Sequence, residues 1–255
     1  MIKNLRELYR YRALLWSLTV RELRARYRAS VLGFLWTFLN PTLQMTVYAL
    51  VFGVVMKNSD PHYPYVIFTG LLPWIYFASS VVGGTTSISD RRDLLTKVRF
   101  PAQVLPATVV LTNLVNFVLS LPLLLGLGLL FDVTPSWHYV LVVPLVLLQT
   151  LFTLAVAYAL SSLNVAFRDL QHIVANLIQL AFFGTPIVWD SAFAPLWYFY
   201  VNPMAALVRS YRDLFVAQQI PNPNPLIAVA LVSLFLLFIG STVFERRREE
   251  FAELV

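Results

Sequence analysis

The chain has no cysteine, which excludes disulfides, thiolate metal sites and cysteine nucleophiles together. Charge is scarce: Asp, Glu, Lys and Arg make up 13% of its 255 residues against 58% hydrophobic, where a soluble domain carries about 25% charged. A soluble class is set aside. No Gly-x-x-x-x-Gly-Lys-Ser/Thr run occurs, so ATP is not bound through a phosphate loop. All thirteen acidic residues fall in termini, loops or span boundaries. That counts against a proton-coupled carrier, which needs an embedded relay, and against a membrane-bound glycosyl- or acyltransferase, which needs an embedded general base. His62 and His138 fall in outer loops and His172 near an inner boundary. Without ligand-type neighbours in sequence, they read as boundary residues, and no metal site is expected.

What the chain does have is at least six long apolar stretches without Asp, Glu, Lys or Arg: 29–56, 61–89, 100–131, 133–167, 170–189 and 214–244. A membrane span needs about 20 predominantly apolar residues, and its backbone must be satisfied internally, which favours helices. The composition therefore predicts an all-α membrane protein of six transmembrane helices in a single domain, 1–255. The first 28 residues are charged, unlike a cleavable signal peptide. With the N-terminus inside, sixteen of the nineteen Lys and Arg residues are cytoplasmic and three (Lys57, Arg209 and Arg212) are outside. That asymmetry places both ends in the cytoplasm. It accounts for the net charge of +6 without a nucleic-acid partner.

Residues 5–28 read as an amphipathic helix on the membrane surface, with Leu5, Tyr9, Ala13, Trp16, Val20, Leu23 and Tyr27 at helical steps. Glu22 is placed to pair with Arg26 at i,i+4, whereas Arg21, Arg24 and Arg28 form a basic stripe without a comparable acidic partner. The stripe is either a headgroup anchor, the simpler reading, or a receiver for a lipid diphosphate. Residues 90–100 form a charged cytoplasmic connection bearing Asp90, Arg91, Arg92, Asp93, Lys97 and Arg99. It is either a short helix that fits a groove on a partner subunit or a solvated loop obeying the positive-inside rule.

The fifth span is expected to end near Trp189. Residues 190–224 are aromatic but interrupted by Asn202-Pro203, and they read as two short re-entrant helices on the outer face. Asn202 is expected to cap the second, with Pro203 in its first turn. This outer segment contains Trp197, Tyr198, Tyr200, Arg209, Arg212 and Asp213. Among the aromatics, Phe34, Trp36, Trp74, Tyr76, Phe77, Phe182, Phe183 and Trp189 are candidates to line a passage. For each of them, belt or packing duty is the simpler reading.

The run from Arg21 to Pro41 resembles the start of the first span in permeases of ATP-binding-cassette exporters for O-antigen, capsule and teichoic acid. So do Lys97-Val-Arg-Phe-Pro101 before Leu105-Pro106, Arg168-Asp169 and Asn202-Pro203. The likeness covers nearly the whole chain and is nearest to the O-antigen polysaccharide permeases. It implies a homodimer in the bacterial inner membrane with two copies of a nucleotide-binding ATPase subunit, which binds ATP and Mg while this chain holds no cofactor. The implied cargo is an undecaprenyl-diphosphate-linked polysaccharide. By the same likeness residues 90–100 become the coupling helix, residues 1–28 the interfacial helix and residues 190–224 the outer gate segment. A passage at the dimer interface is then expected between the first and fifth spans, and uncharged spans carrying Asn113, Asn116, Gln149, Asn176 and Gln179 suit a sliding polymer. The alternative within the class is a drug or small-lipid exporter of the same fold.

Overall fold

The computed structural model describes residues 7–28, 30–55, 60–91 and 100–246; Arg92, Asp93, Lys97 and Arg99 of the coupling segment lie outside them. Among the described residues there is no strand. The helices are α1 (Arg12–Tyr27), α2 (Gly33–Val55), α3 (Tyr63–Thr86), α4 (Val104–Leu130), α5 (Trp137–Ala166), α6 (Leu170–Gly184), α7 (Tyr198–Val201), α8 (Pro203–Phe215) and α9 (Pro223–Arg246). Five of them, α2, α3, α4, α5 and α9, are long and apolar enough to cross a membrane. The remaining apolar helix, α6, has 15 residues, about 22 Å at 1.5 Å per residue, which is less than a bilayer core of about 30 Å. The expected helix to Trp189 stops at Gly184 for a local reason. Pro186 biases the residue before it away from helix, and Thr185 is extended at ψ 137°.

The core forms around α3, which touches α2, α4, α5, α6 and α8 and buries Tyr65, Ile67, Phe68 and Leu71 completely. Small residues set the close approaches: a Cβ on Gly84 would lie 2.9 Å from the Ala157 Cβ, and one on Gly240 3.2 Å from the Ala159 nitrogen. Such contacts let helices pack closely where lipid offers no hydrophobic drive. Gln149, fully buried in α5, donates to the Pro73 carbonyl at 2.7 Å and accepts from the Tyr211 hydroxyl at 2.8 Å. One amide therefore ties α3, α5 and α8 together.

The second helix is the least packed, with 11% of its span buried against 67% for α3. Gly33 opens it at φ +45°, a backbone state that glycine adopts without steric cost. Pro41 lies within it, and Ala49–Val55 widens into a π-helix. Its exposed residues include Leu43, Val47, Leu50 and Val54. On α6, Ile173, Leu177, Leu180 and Phe183 are exposed at helical spacing, with Asn176 and Gln179 exposed among them.

Ile88, Tyr158 and Phe244 cluster with Leu8, Leu15 and Phe100, so α1 and the end of α9 share one end of the bundle. That end carries Arg21, Arg24, Arg91 and Arg168 and is termed the basic end. At the opposite end, the Asn202 side chain accepts from the Ala205 amide at 3.1 Å, with Pro203 in the first turn of α8, as its sequence predicts. The expected first outer helix reduces to a 3-10 turn at Ser191–Phe193 and the four residues of α7.

Candidate functional site

At the basic end, α1 presents Leu15, Thr19, Glu22 and Arg26 at helical spacing, while Tyr9, Ala13 and Trp16 are exposed. Thr19 is fully buried and Leu15 packs against the bundle core. The expected Glu22–Arg26 pair does not form. Glu22 accepts from Arg91 at 2.7 Å, and Arg26 donates to the Asn113 amide oxygen at 3.2 Å. Glu7 accepts from the Gln103 amide at 3.1 Å. Tertiary partners win over the i,i+4 neighbour because an exposed helix pair is worth only about 0.2–0.5 kcal/mol.

Arg26 thereby reaches a cleft of about 340 Å³ whose walls include Trp36, Asn40, Tyr76, Asn113 and Asn116. The sequence stripe behaves differently. Arg21, Arg24 and Arg28 are exposed, as Arg26 itself is, but none of the three lines the cleft, and Arg21 borders a shallow recess with Glu22 and Arg91. Sequence reasoning missed Arg26 as a cleft residue because Glu22 offered it a local partner; the available signal was its shared helical face with Leu15 and Thr19. Asp90 is exposed and Arg91 half-buried in a 3-10 turn that leaves α3.

The candidate aromatics divide by burial. Trp74, Tyr76, Phe77 and Phe182 are core residues, each 7% exposed or less, and Phe77 stacks on Phe152 with ring centroids 5.5 Å apart. Phe34, Trp36 and Phe183 are exposed and Trp189 is half-buried, so they are the candidates a partner or cargo can reach. Of the uncharged polar set, Gln149 is a structural tie, Asn113 and Asn116 line the cleft, and Asn176 and Gln179 lie on the open face of α6.

At the opposite end, α8 brings Arg212 against the segment that follows α6. Arg212 is 9% exposed and donates to the Ile187 carbonyl at 2.6 Å and the Trp189 carbonyl at 3.3 Å. Burial lowers its pKa to about 10, opposed by Asp190 and Tyr63, so it is charged at neutral pH. Burial raises the Asp213 carboxyl, opposed by a hydrogen bond from Gln219 and the charge of Arg209. Arg209 itself lies 4.6 Å over the Phe199 ring. Trp197 and Tyr200 are exposed, and Tyr198 is half-buried against Trp189 with ring centroids 6.3 Å apart. Arg212 and Asp213 face a pocket of about 820 Å³ that also includes Asp60, Asp190, Trp189 and Phe193.

Apolar spans with a polar cleft at one end and a charged, aromatic pocket at the other define a multi-pass membrane protein. The chain belongs to the ABC-2 type transporter family, whose sequence model matches residues 13–216. It is 57% identical over 261 residues to the O-antigen export system permease protein RfbA of Myxococcus xanthus, with both chains covered completely. It is 32% identical over 242 residues to the protein of that name from Klebsiella pneumoniae, across 93% of each chain. The polysialic acid transport protein KpsM of Escherichia coli is 24% identical, across 91% of this chain and 93% of its own.

Proposed function

We propose that the chain is the membrane subunit of an ATP-driven exporter that moves an undecaprenyl-diphosphate-linked O-antigen polysaccharide across the bacterial inner membrane. The observation that carries this reading is the full-length 57% identity to an O-antigen export permease. The fold supports it physically: the described spans present amides, hydroxyls and aromatic rings, with no carboxylate short of Glu245 at the end of α9, a lining over which an uncharged polymer slides without a deep binding well.

Energy comes from two copies of a separate nucleotide-binding subunit that engage the connection after Arg91 at the basic end. That end is cytoplasmic, as the distribution of Lys and Arg favours. Two copies of the chain associate through the open faces of α2 and α6, whose exposed Val47, Leu50, Leu177 and Leu180 are far more apolar than a polymer passage requires throughout. Phe34, Trp36, Phe183 and Trp189 line the passage between them. Arg21, Arg24 and Arg28 receive the lipid diphosphate at the inner surface, and residues 190–224 gate the outer mouth.

The test is genetic and direct. Deleting the gene in its host should abolish surface O-antigen while lipid-linked polymer accumulates inside, and the intact chain should restore both. Unchanged surface polysaccharide in the deletion strain would rule the reading out.

A further inference from the structure

The pocket beside Arg212 has a composition that packing alone does not explain. Its volume of about 820 Å³ lies in the range of roughly 300–1,000 Å³ typical of small-molecule sites. Arg212 is nine-tenths buried and lines it; its terminal nitrogens donate to the Ile187 and Trp189 carbonyls, yet its Nε has no hydrogen-bond partner among the described residues. A buried donor left unmade costs its full desolvation, so such groups are rare and call for a reason. Three carboxylates, Asp60, Asp190 and Asp213, line the same space. Hydrogen bonds orient all three: Asp60 accepts from the His62 backbone amide at 2.8 Å, Asp190 from the Ala192 amide at 2.9 Å and Asp213 from Gln219 at 3.0 Å. The rings of Phe183, Trp189 and Phe193 complete the walls.

We infer that this pocket is a saccharide-binding site that takes a neutral, hydroxyl-rich stretch of polymer at the end of the bundle opposite α1. It rests on the export reading given above. Sugar hydroxyls both donate and accept, so one ring can use the guanidinium donors and the carboxylate acceptors at once. The aromatic rings offer flat faces to the C–H side of a pyranose. An acidic sugar meets three carboxylates against one guanidinium and is disfavoured. A metal ion fares no better, because among the described residues no three His, Cys, Asp or Glu side chains converge on one point. The outer site therefore selects for uncharged polymer.

The absence of native cysteine permits a clean test. Ser191→Cys places a thiol on the pocket wall in the full chain reconstituted in nanodiscs, and its labelling by a membrane-impermeant maleimide is timed with mannotetraose or trisialic acid present. Mannotetraose should slow labelling several-fold and trisialic acid should leave it unchanged. Phe193→Ala removes an exposed ring, and Asp213→Asn a single charge, and each should abolish the protection while the protein stays monodisperse. Equal protection by both sugars, protection by neither, or protection that survives in both variants would overturn the site. Cells carrying Ser191→Cys report separately on export: intact surface polysaccharide without protection defeats the site and leaves the export reading standing, whereas surface polysaccharide that does not depend on the gene defeats the export reading itself.

Discussion

Glu22 of α1 and Arg91, in the turn that leaves α3, meet at 2.7 Å although 69 positions separate them in sequence. Glu7 makes the companion contact to Gln103 on the far side of the same connection. The chain from Glu7 through α1 is thus fastened to both flanks of the segment proposed to receive the ATPase, which places it to feel a push on that segment.

The pair is partly exposed, and such pairs contribute about 0.2–1 kcal/mol. Glu22→Gln should leave folding and membrane insertion nearly unchanged but lower polysaccharide export several-fold at an unchanged rate of ATP hydrolysis. The exchange Glu22→Arg with Arg91→Glu should recover part of the loss. Equal export by the single and exchanged variants would show that the contact transmits nothing.

The chain without its partner should hydrolyse no ATP, because it lacks a phosphate loop. In the assembled exporter, Arg91→Ala with Arg92→Ala should release the ATPase subunit or uncouple it. Co-purification and steady-state hydrolysis separate those outcomes, and normal assembly with normal export would return the segment to a solvated loop.

Arginine matches phosphate oxygens with a planar fork that lysine lacks. Arg24→Lys with Arg28→Lys should therefore reduce export at matched protein levels if the exposed stripe holds a diphosphate, and should be silent if it anchors headgroups. Arg26→Lys serves as a comparison, since Arg26 points instead into the cleft beside Asn113.

Gln149→Leu removes both hydrogen bonds that join α3, α5 and α8 while keeping a similar volume. Polar ties between membrane helices are worth about 0.6–2 kcal/mol, so thermal unfolding in detergent should shift down by a few degrees. A shift confined to the outer segment, read as faster maleimide labelling of Ala192→Cys, should accompany it, because Tyr211 loses its partner.

Five of the six expected spans were legible in the sequence because charge is excluded from long stretches, and that exclusion is independent of tertiary structure; the charge-free run 170–189 instead holds a helix of 15 residues. Asn202 and Pro203 declared the start of α8 for an equally local reason, a side-chain cap followed by a residue that needs no amide partner. What the sequence concealed depends on contacts between distant segments. Periodicity made Glu22 look like Arg26's neighbour, when Arg91 and Asn113 claim the two separately. Aromatic identity likewise said nothing about direction, so core residues such as Trp74 and Phe77 stood beside exposed ones such as Phe34 and Phe183. Arg212 was placed in the right segment, but its burial beneath the outer pocket comes from the approach of α8 to residues 187–189, which no pattern within either segment encodes.

The seven-residue π segment at Ala49–Val55 has a consequence for how this gene tolerates change. Each of its backbone bonds spans one residue more than an α-helical bond, and such widenings are rare in helices. Losing one codon elsewhere in a membrane helix turns every following side chain by about 100°, which is ruinous to packing. Between codons 49 and 55 the same loss can be absorbed by a return to ordinary α geometry, leaving the faces on either side in register. Single-residue deletions in the first span should therefore accumulate in this short window among natural relatives, whatever happens to its amino-acid identities.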